Sequence, residues 1–366
     1  MVFAPLAGWL SDRCGARLVV ALGGLILGIA VSLTGAVTSL TQFYLCFGVL
    51  GAAGIACMII PSTAVVTRWF VQSRGTAMGV LSTGNAVAAV VFYPVNAWLI
   101  TTLGWRGALM AFGGTLGIAT ILLALLCRNP PAGNEHVARA ARSVGGDPWT
   151  LQSALWSARL WAAFIMTALG VLGYQTVATH QVAHAVDRGF AQSTVVAIFS
   201  FGAGCMVAGN LAGGWLSDHL GRRWVFAAGT VVAIMGIGCL ASVSGPSHLL
   251  LLVLYTVSGF GFGMRIAQLS TIPADAFSGP RLGAILGVIQ AGGGLGGAVG
   301  PLLGGWLFDV TGSYRLAFAA AAVAVAGSAV AAWIAAPREA RASEHATTHA
   351  PAPRSALAKF PWRSGS

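Results

Sequence analysis

Read as apolar and polar positions, the chain is a series of long greasy runs separated by short polar ones. Ten segments stay apolar for about 20 residues or more: 17–37, 42–66, 76–99, 106–127, 159–183, 191–213, 224–243, 248–272, 282–308 and 315–336. At a rise of about 1.5 Å per residue, each can cross a hydrocarbon core of about 30 Å as an α-helix. Residues 1–9, MVFAPLAGW, read as the end of one more helix. The pattern predicts an all-α membrane protein.

Composition agrees. Hydrophobic residues make up 57% of the 366, charged residues only 8%, and mean hydropathy is +0.81. A soluble domain carries roughly 25% charged residues, so this chain cannot clothe a water-facing globule. Fifty glycines suit close helix packing in a bilayer. The six cysteines are scattered, without metal spacing, and read as small packing residues. Nineteen arginines against one lysine point to a GC-rich, bacterial genome.

The placement of charge gives topology. Sixteen of the twenty basic residues fall in one set of alternating loops and the tail, three (Arg106, Arg188, Arg315) in the other set, and Arg265 lies inside a span. The positive-inside rule puts the sixteen-residue side, with the C-terminus, in the cytoplasm. The net charge of +11 is therefore a topology signal, and no basic patch interleaved with aromatics suggests nucleic acid. The loop RNPPAGNEHVARAARSVGGDPW divides the chain in two. The expected organisation is an incomplete helical bundle over 1–127, a cytoplasmic linker over 128–158, a six-helix bundle over 159–336 and a disordered tail over 337–366.

The halves repeat. GWLSDRCGAR at 8–17 returns as GWLSDHLGRR at 214–223, 206 residues on. Ala89-x-x-x-Tyr93-Pro94-x-x-Ala97-Trp98 returns as Gly296-x-x-x-Gly300-Pro301-x-x-Gly304-Gly305, and LGWRGALMAF at 103–112 as TGSYRLAFAA at 311–320. Three matches in one order make a duplicated helical unit, a pattern of secondary transporters. The repeated decapeptide resembles the loop signature of the major facilitator superfamily. Arg68-Trp69-Phe70 with Arg74-Gly75-x-Ala-x-Gly79, and Asp309-Val-Thr-Gly-Ser-Tyr314, are similar to its monocarboxylate transporter and oxalate/formate antiporter branch. The resemblance implies two pseudo-symmetric bundles. Aligned on the repeat, the chain holds ten complete spans and part of an eleventh, the family's first helix and most of its second being absent from it. In that family the loop latches the halves together in the outward-facing state. By resemblance the role falls to Asp12, Arg13, Arg17, Asp218, Arg222 and Arg223; the plainer reading is a solvated, positively charged turn. Gly15 and Gly221 serve the tight turn. His219 stands where the first copy has Arg13, which predicts a weaker latch in the second copy.

Few ionisable groups lie inside spans. Arg265 sits about 15 Å deep, ten residues before Asp275. A buried guanidinium without a carboxylate in a span suits a carboxylate solute; the plainer reading is an Arg bonded to backbone carbonyls. His180 and His184 are four apart, on one helix face, and histidine is the side chain suited to proton coupling at physiological pH; the plainer reading is polar groups at a helix end. No third ligand makes them a metal site. Tyr174, Gln175, Gln268 and Asn85 are candidate solute contacts, and Gln290 is a further polar residue in a span. Pro94 and Pro301, with Gly296 and Gly300, read as helix-kink and packing positions. GGGLGGAVGPLLGG lacks the Lys-Ser/Thr ending of a phosphate loop.

These features predict a secondary transporter of a small organic anion, a monocarboxylate by resemblance. It would work as a monomer in the plasma (bacterial inner) membrane, without a cofactor, driven by a proton or counter-anion. Two alternatives stand beside it: a proton-coupled drug or metabolite exporter of the same fold, and a non-transporting sensor or truncated product. No catalytic constellation suggests an enzyme.

Overall fold

The computed structural model describes residues 3–70, 73–127, 149–277 and 281–336. The tail beyond 336 and the linker residues 128–148 lie outside the described residues. The elements are α1 (Ala4–Cys14), α2 (Ala16–Ala36), α3 (Leu40–Trp69), α4 (Arg74–Leu126), a short α5 (Leu151–Leu155), α6 (Ala158–Asp187), α7 (Gln192–Leu220), α8 (Arg222–Ala241), α9 (Pro246–Ala276), α10 (Leu282–Thr311) and α11 (Arg315–Ala335). Nine helices among the described residues are long and apolar enough to span a membrane. The predicted segments 76–99 and 106–127 are two arms of α4, which breaks at Gly104, where φ is +70°. Two other helices change winding along their length. In α3, residues Tyr44–Leu50 form a π-helix, and α9 is built of Leu249–Val257, Gly259–Ile266 and Gln268–Ala276. The end of the expected linker is ordered: Thr150 and Ser153 cap α5 reciprocally, and Trp149 packs edge-to-face on Phe277.

The decapeptides make one-residue corners. α1 gives way to α2 at Gly15 (φ +83°) and α7 to α8 at Gly221 (φ +90°), a backbone region that side chains other than glycine rarely adopt.

In the first half α2 packs on α3 and α4; in the second, α6 packs on α10 and α11, and α9 on α7 and α8. Small residues set the spacing. A Cβ on Gly296 would strike the Ala168 carbonyl, and one on Gly300 the Leu172 carbonyl. Gly296 and Gly300 thus form a packing face for α6. Pro301, inside α10, leaves residue 297 without its helical N–H partner. The large exposed side chains, among them Leu302, Val323 and Met235, lie on spanning helices, where the surrounding medium is lipid. The core of the second half holds Phe226, Met166, Ile272 and Phe277 in one cluster and Phe318, Ile237, Leu240 and Leu252 in another.

Candidate functional site

Two clasps join the halves at the end that carries the decapeptides. In the first, Asp12 on the last turn of α1 accepts the backbone N–H groups of Gly283 (3.2 Å) and Ala284 (3.0 Å) at the start of α10. Arg68, at the end of α3, donates to the same carboxylate at 2.8 Å. In the second, Asp218 on the last turn of α7 accepts the N–H groups of Gly75 (2.9 Å) and Thr76 (2.8 Å) at the start of α4, and the Thr76 hydroxyl at 2.7 Å. Neither receiving helix has a side-chain cap of its own. Each carboxylate therefore caps, from the opposite half, the second and third N–H groups of a helix, where unpaired donors and the dipole both favour an anion.

The clasps close over glycine. α1 meets α10 at Gly8, whose Cβ would fall on the Gly283 carbonyl. α4 meets α7 where a Cβ on Gly79 would meet the Asn210 carbonyl.

The second clasp extends further. Arg222 donates to Asp218 (2.5 Å), to the Ser217 hydroxyl (2.7 Å) and to Asp275 (2.9 Å). Arg74 pairs with Asp275 and donates to the carbonyls of Ala274 (3.1 Å) and Thr67 (3.0 Å). Against the expectation of a weaker second latch, the second carboxylate gathers more partners than the first. His219 is exposed, bonded to the Trp215 carbonyl and tilted against the Trp215 ring, so it faces away from the other half. Arg13 lies over Trp9, and Arg223 lies over Trp333 and donates to the Ala336 carbonyl. Arg17 is exposed. In the sequence Arg68 and Arg74 carry the family resemblance and no role, and Asp275 marks only the depth of Arg265; no local signal pairs any of them with the opposite half.

A cavity of about 120 Å³ lies between α6, α7 and α9. Its walls include Tyr174, Gln181, Phe199, Met206, Tyr255 and Phe262. Tyr174 and Phe262 meet edge-to-face at 5.6 Å, as do Phe199 and Tyr255 at 5.9 Å. The Tyr255 hydroxyl donates to Gln181. Of the sequence candidates only Tyr174 lines this cavity. Gln175 is half-buried beside it on α6, and Gln290 is half-buried on α10. The side chains of Asn85 and Pro94 lie outside the described residues.

Arg265 is a correction. It is 3% exposed, its guanidinium sits over the Phe226 ring at 4.7 Å and donates to Ser328 at 3.0 Å, and Ser328 in turn donates to the Met166 carbonyl. It ties α9 to α8, α11 and α6 and does not line the cavity. The cavity stripe on α9 runs through Tyr255, Gly259 and Phe262, at helical spacing; Arg265 falls off it by about one residue's turn. Gln268 is likewise a clip, fully buried, donating to the Gly213 and Met264 carbonyls and accepting from Thr271. His180 and His184, also on α6, are not among the residues that line the cavity. The Nε2–H of His180 donates to the Pro301 carbonyl (3.0 Å) and that of His184 to the Leu240 carbonyl (3.1 Å). Both rings touch Tyr314, whose hydroxyl burial pushes above its ordinary pKa, Asp187 and Asp309 adding to the rise.

A sequence profile described as Major Facilitator Superfamily matches this chain twice, over residues 1–212 and 181–365. The chain belongs to the Major Facilitator Superfamily. The chain is 32% identical to monocarboxylate transporter 13 of Rattus norvegicus over 337 residues, covering 89% of this chain and 75% of that protein. It is 30% identical to monocarboxylate transporter 11 of Mus musculus, covering 86% and 71%. Solved superfamily structures share the fold. The transporter FucP in the outward conformation superimposes with a TM-score of 0.71 at 14% identity, over 92% of this chain and 87% of that one. The human organic anion transporter MFSD10 gives 0.69 at 17%, over 90% and 80%. This is thus a multi-pass facilitator-type transporter related to the monocarboxylate transporters.

Proposed function

We propose that this chain carries a small organic anion, a monocarboxylate, across the plasma membrane by alternating access, driven by a proton or counter-anion gradient. The observation that supports it is the pair of clasps. Two equivalent carboxylates hold the halves together by charge-assisted hydrogen bonds to helix N-termini. Each bond contributes roughly 1.5–3 kcal/mol, strong enough to hold a closed end and weak enough to open within a transport cycle. By the positive-inside rule that end is cytoplasmic, and the state is outward-facing. The names of the relatives supply the anion.

Asp12, Asp218 and Arg222 are the latch, with Arg68, Arg74 and Asp275 added. His180 and His184 are proposed for proton coupling, because protonation at Nδ1 would bias the bonds that α6 makes to α10 and α8. In this reading Arg265 holds the second half together and does not meet the solute.

The test is uptake of labelled lactate and pyruvate into proteoliposomes holding the purified chain. Accumulation is expected under an inward proton gradient or by exchange against an internal anion, with the pH dependence flattened in His180→Ala. Failure of both acids under both gradients would leave the exporter or sensor alternatives in its place.

A further inference from the structure

Each decapeptide has a second face that the clasps leave unused. Gly8 and Asp12 meet the start of α10. Leu6, Trp9 and Arg13 are spaced by three and four residues along α1, on one side of the helix. Leu6 is 57% exposed, Trp9 is half-buried and Arg13 is exposed. Toward the clasped end the stripe runs apolar, aromatic, cationic, which is the order of tail, interface and headgroup in one leaflet. The Arg13 guanidinium lies over the Trp9 ring at 4.3 Å, and among the described residues it makes no ion pair. Stacking occupies the face of the guanidinium and leaves the N–H donors at its edge, a fork that a phosphate accepts two at a time. Arg17, also exposed, follows the corner on the first turn of α2 and adds positive charge.

The second copy carries the matching stripe Leu211, Trp215 and His219, all exposed and four residues apart. There the cation is replaced. His219 Nδ1 bonds the Trp215 carbonyl at 2.9 Å, so the neutral ring keeps only the Nε2 lone pair, which a phosphate oxygen cannot use.

We infer that the outer face of the first decapeptide is a docking site for the headgroup phosphate of an anionic phospholipid, with Arg13 as its ligand and Trp9 as the platform, and that the second copy lacks the site because of His219. The inference depends on placement in a membrane and not on the transported solute.

Native mass spectrometry of the full chain in detergent tests it, with dioleoyl phosphatidylglycerol titrated against dioleoyl phosphatidylcholine. The anionic lipid should bind its first site about fivefold more tightly, the effect of one cation near a lipid surface. Arg13→Gln should abolish that preference. Arg159→Gln, the same change of charge elsewhere in the chain, should keep it. His219→Arg should create a second preferring site of similar affinity. Equal losses in Arg13→Gln and Arg159→Gln would reduce the effect to diffuse charge and overturn the site. Displacement of the lipid by inorganic phosphate would assign Arg13 to a free anion and overturn the lipid. No gain in His219→Arg would overturn the account of the second copy.

Discussion

The two clasps are built from the same decapeptide and the same capping geometry, and they differ in what stands behind the carboxylate. Asp12 has two backbone N–H groups and Arg68. Asp218 has two N–H groups, a hydroxyl and Arg222, and Arg222 passes the network through Asp275 to Arg74. Burial does not explain the difference: the side chains are 2% exposed for Asp12 and 7% for Asp218. The duplicated sequence supplies a capping carboxylate at both sites. The neighbours that the duplication did not keep equal, Thr76, Arg222 and Asp275, extend the second clasp into a network, whereas the Asp12 carboxylate has one ion pair among the described residues, with Arg68.

The sharpest way to break that comparison is to remove each carboxylate in turn. Asp218→Ala is expected to weaken its clasp by roughly 3 kcal/mol, the scale of losing one partner of a buried charge pair. Asp12→Ala should weaken the other by about half that, a charged cap with one ion pair. Hydrogen exchange reads this locally. Amides of 74–79 should exchange about a hundredfold faster in Asp218→Ala, those of 282–287 about tenfold faster in Asp12→Ala, since tenfold is about 1.4 kcal/mol. Equal acceleration in the two variants would mean that the extra partners add nothing.

Next in size come the arginines. Arg222→Gln removes bonds to Asp218, Ser217 and Asp275 at once, and should cost more than Arg68→Gln, by roughly 1–2 kcal/mol. The double variant Arg222→Gln with Asp275→Asn then sharpens the point. If Arg222 and Asp275 act as one network, the pair of changes should destabilise by less than the sum of the singles, measured as melting temperature in detergent. Additive losses would dissolve the network into independent contacts. A smaller effect is expected at the glycines. A Cβ on Gly283 would press on Asp12 Oδ1 at 2.7 Å and the Gly8 carbonyl at 2.8 Å. Gly283→Ala should therefore lower the melting temperature by a few degrees, with faster exchange at 282–287 and none of the effect at 74–79.

Much of this architecture was legible beforehand. Ten apolar runs, the offset of 206 residues between Gly8 and Gly214, and glycine at both corners follow from periodicity and the demands of positive φ. What escaped reading was azimuth. The depth of Arg265 can be counted along a helix, but whether it faces a cavity or Phe226 depends on how α9 is rotated against α8 and α11. The Gln181–Tyr255 pair is separated by 74 residues, and a partnership that distant leaves no local signature. His219 misled for the same reason, since a substitution inside a motif looks like a weakened contact until the face it occupies is known.

His219 also gives the smallest and most discriminating prediction. If motif identity set latch strength, His219→Arg would restore the first copy's residue and strengthen the second clasp. The ring is exposed and packed on Trp215 of its own helix, and the basic position that matters is taken by Arg222. His219→Arg should therefore change stability by no more than about 0.5 kcal/mol, as surface substitutions away from special contacts do, with exchange at 74–79 unaltered. Slower exchange there would show an arginine at 219 reaching the opposite half, and would return the difference between the clasps to the decapeptide itself.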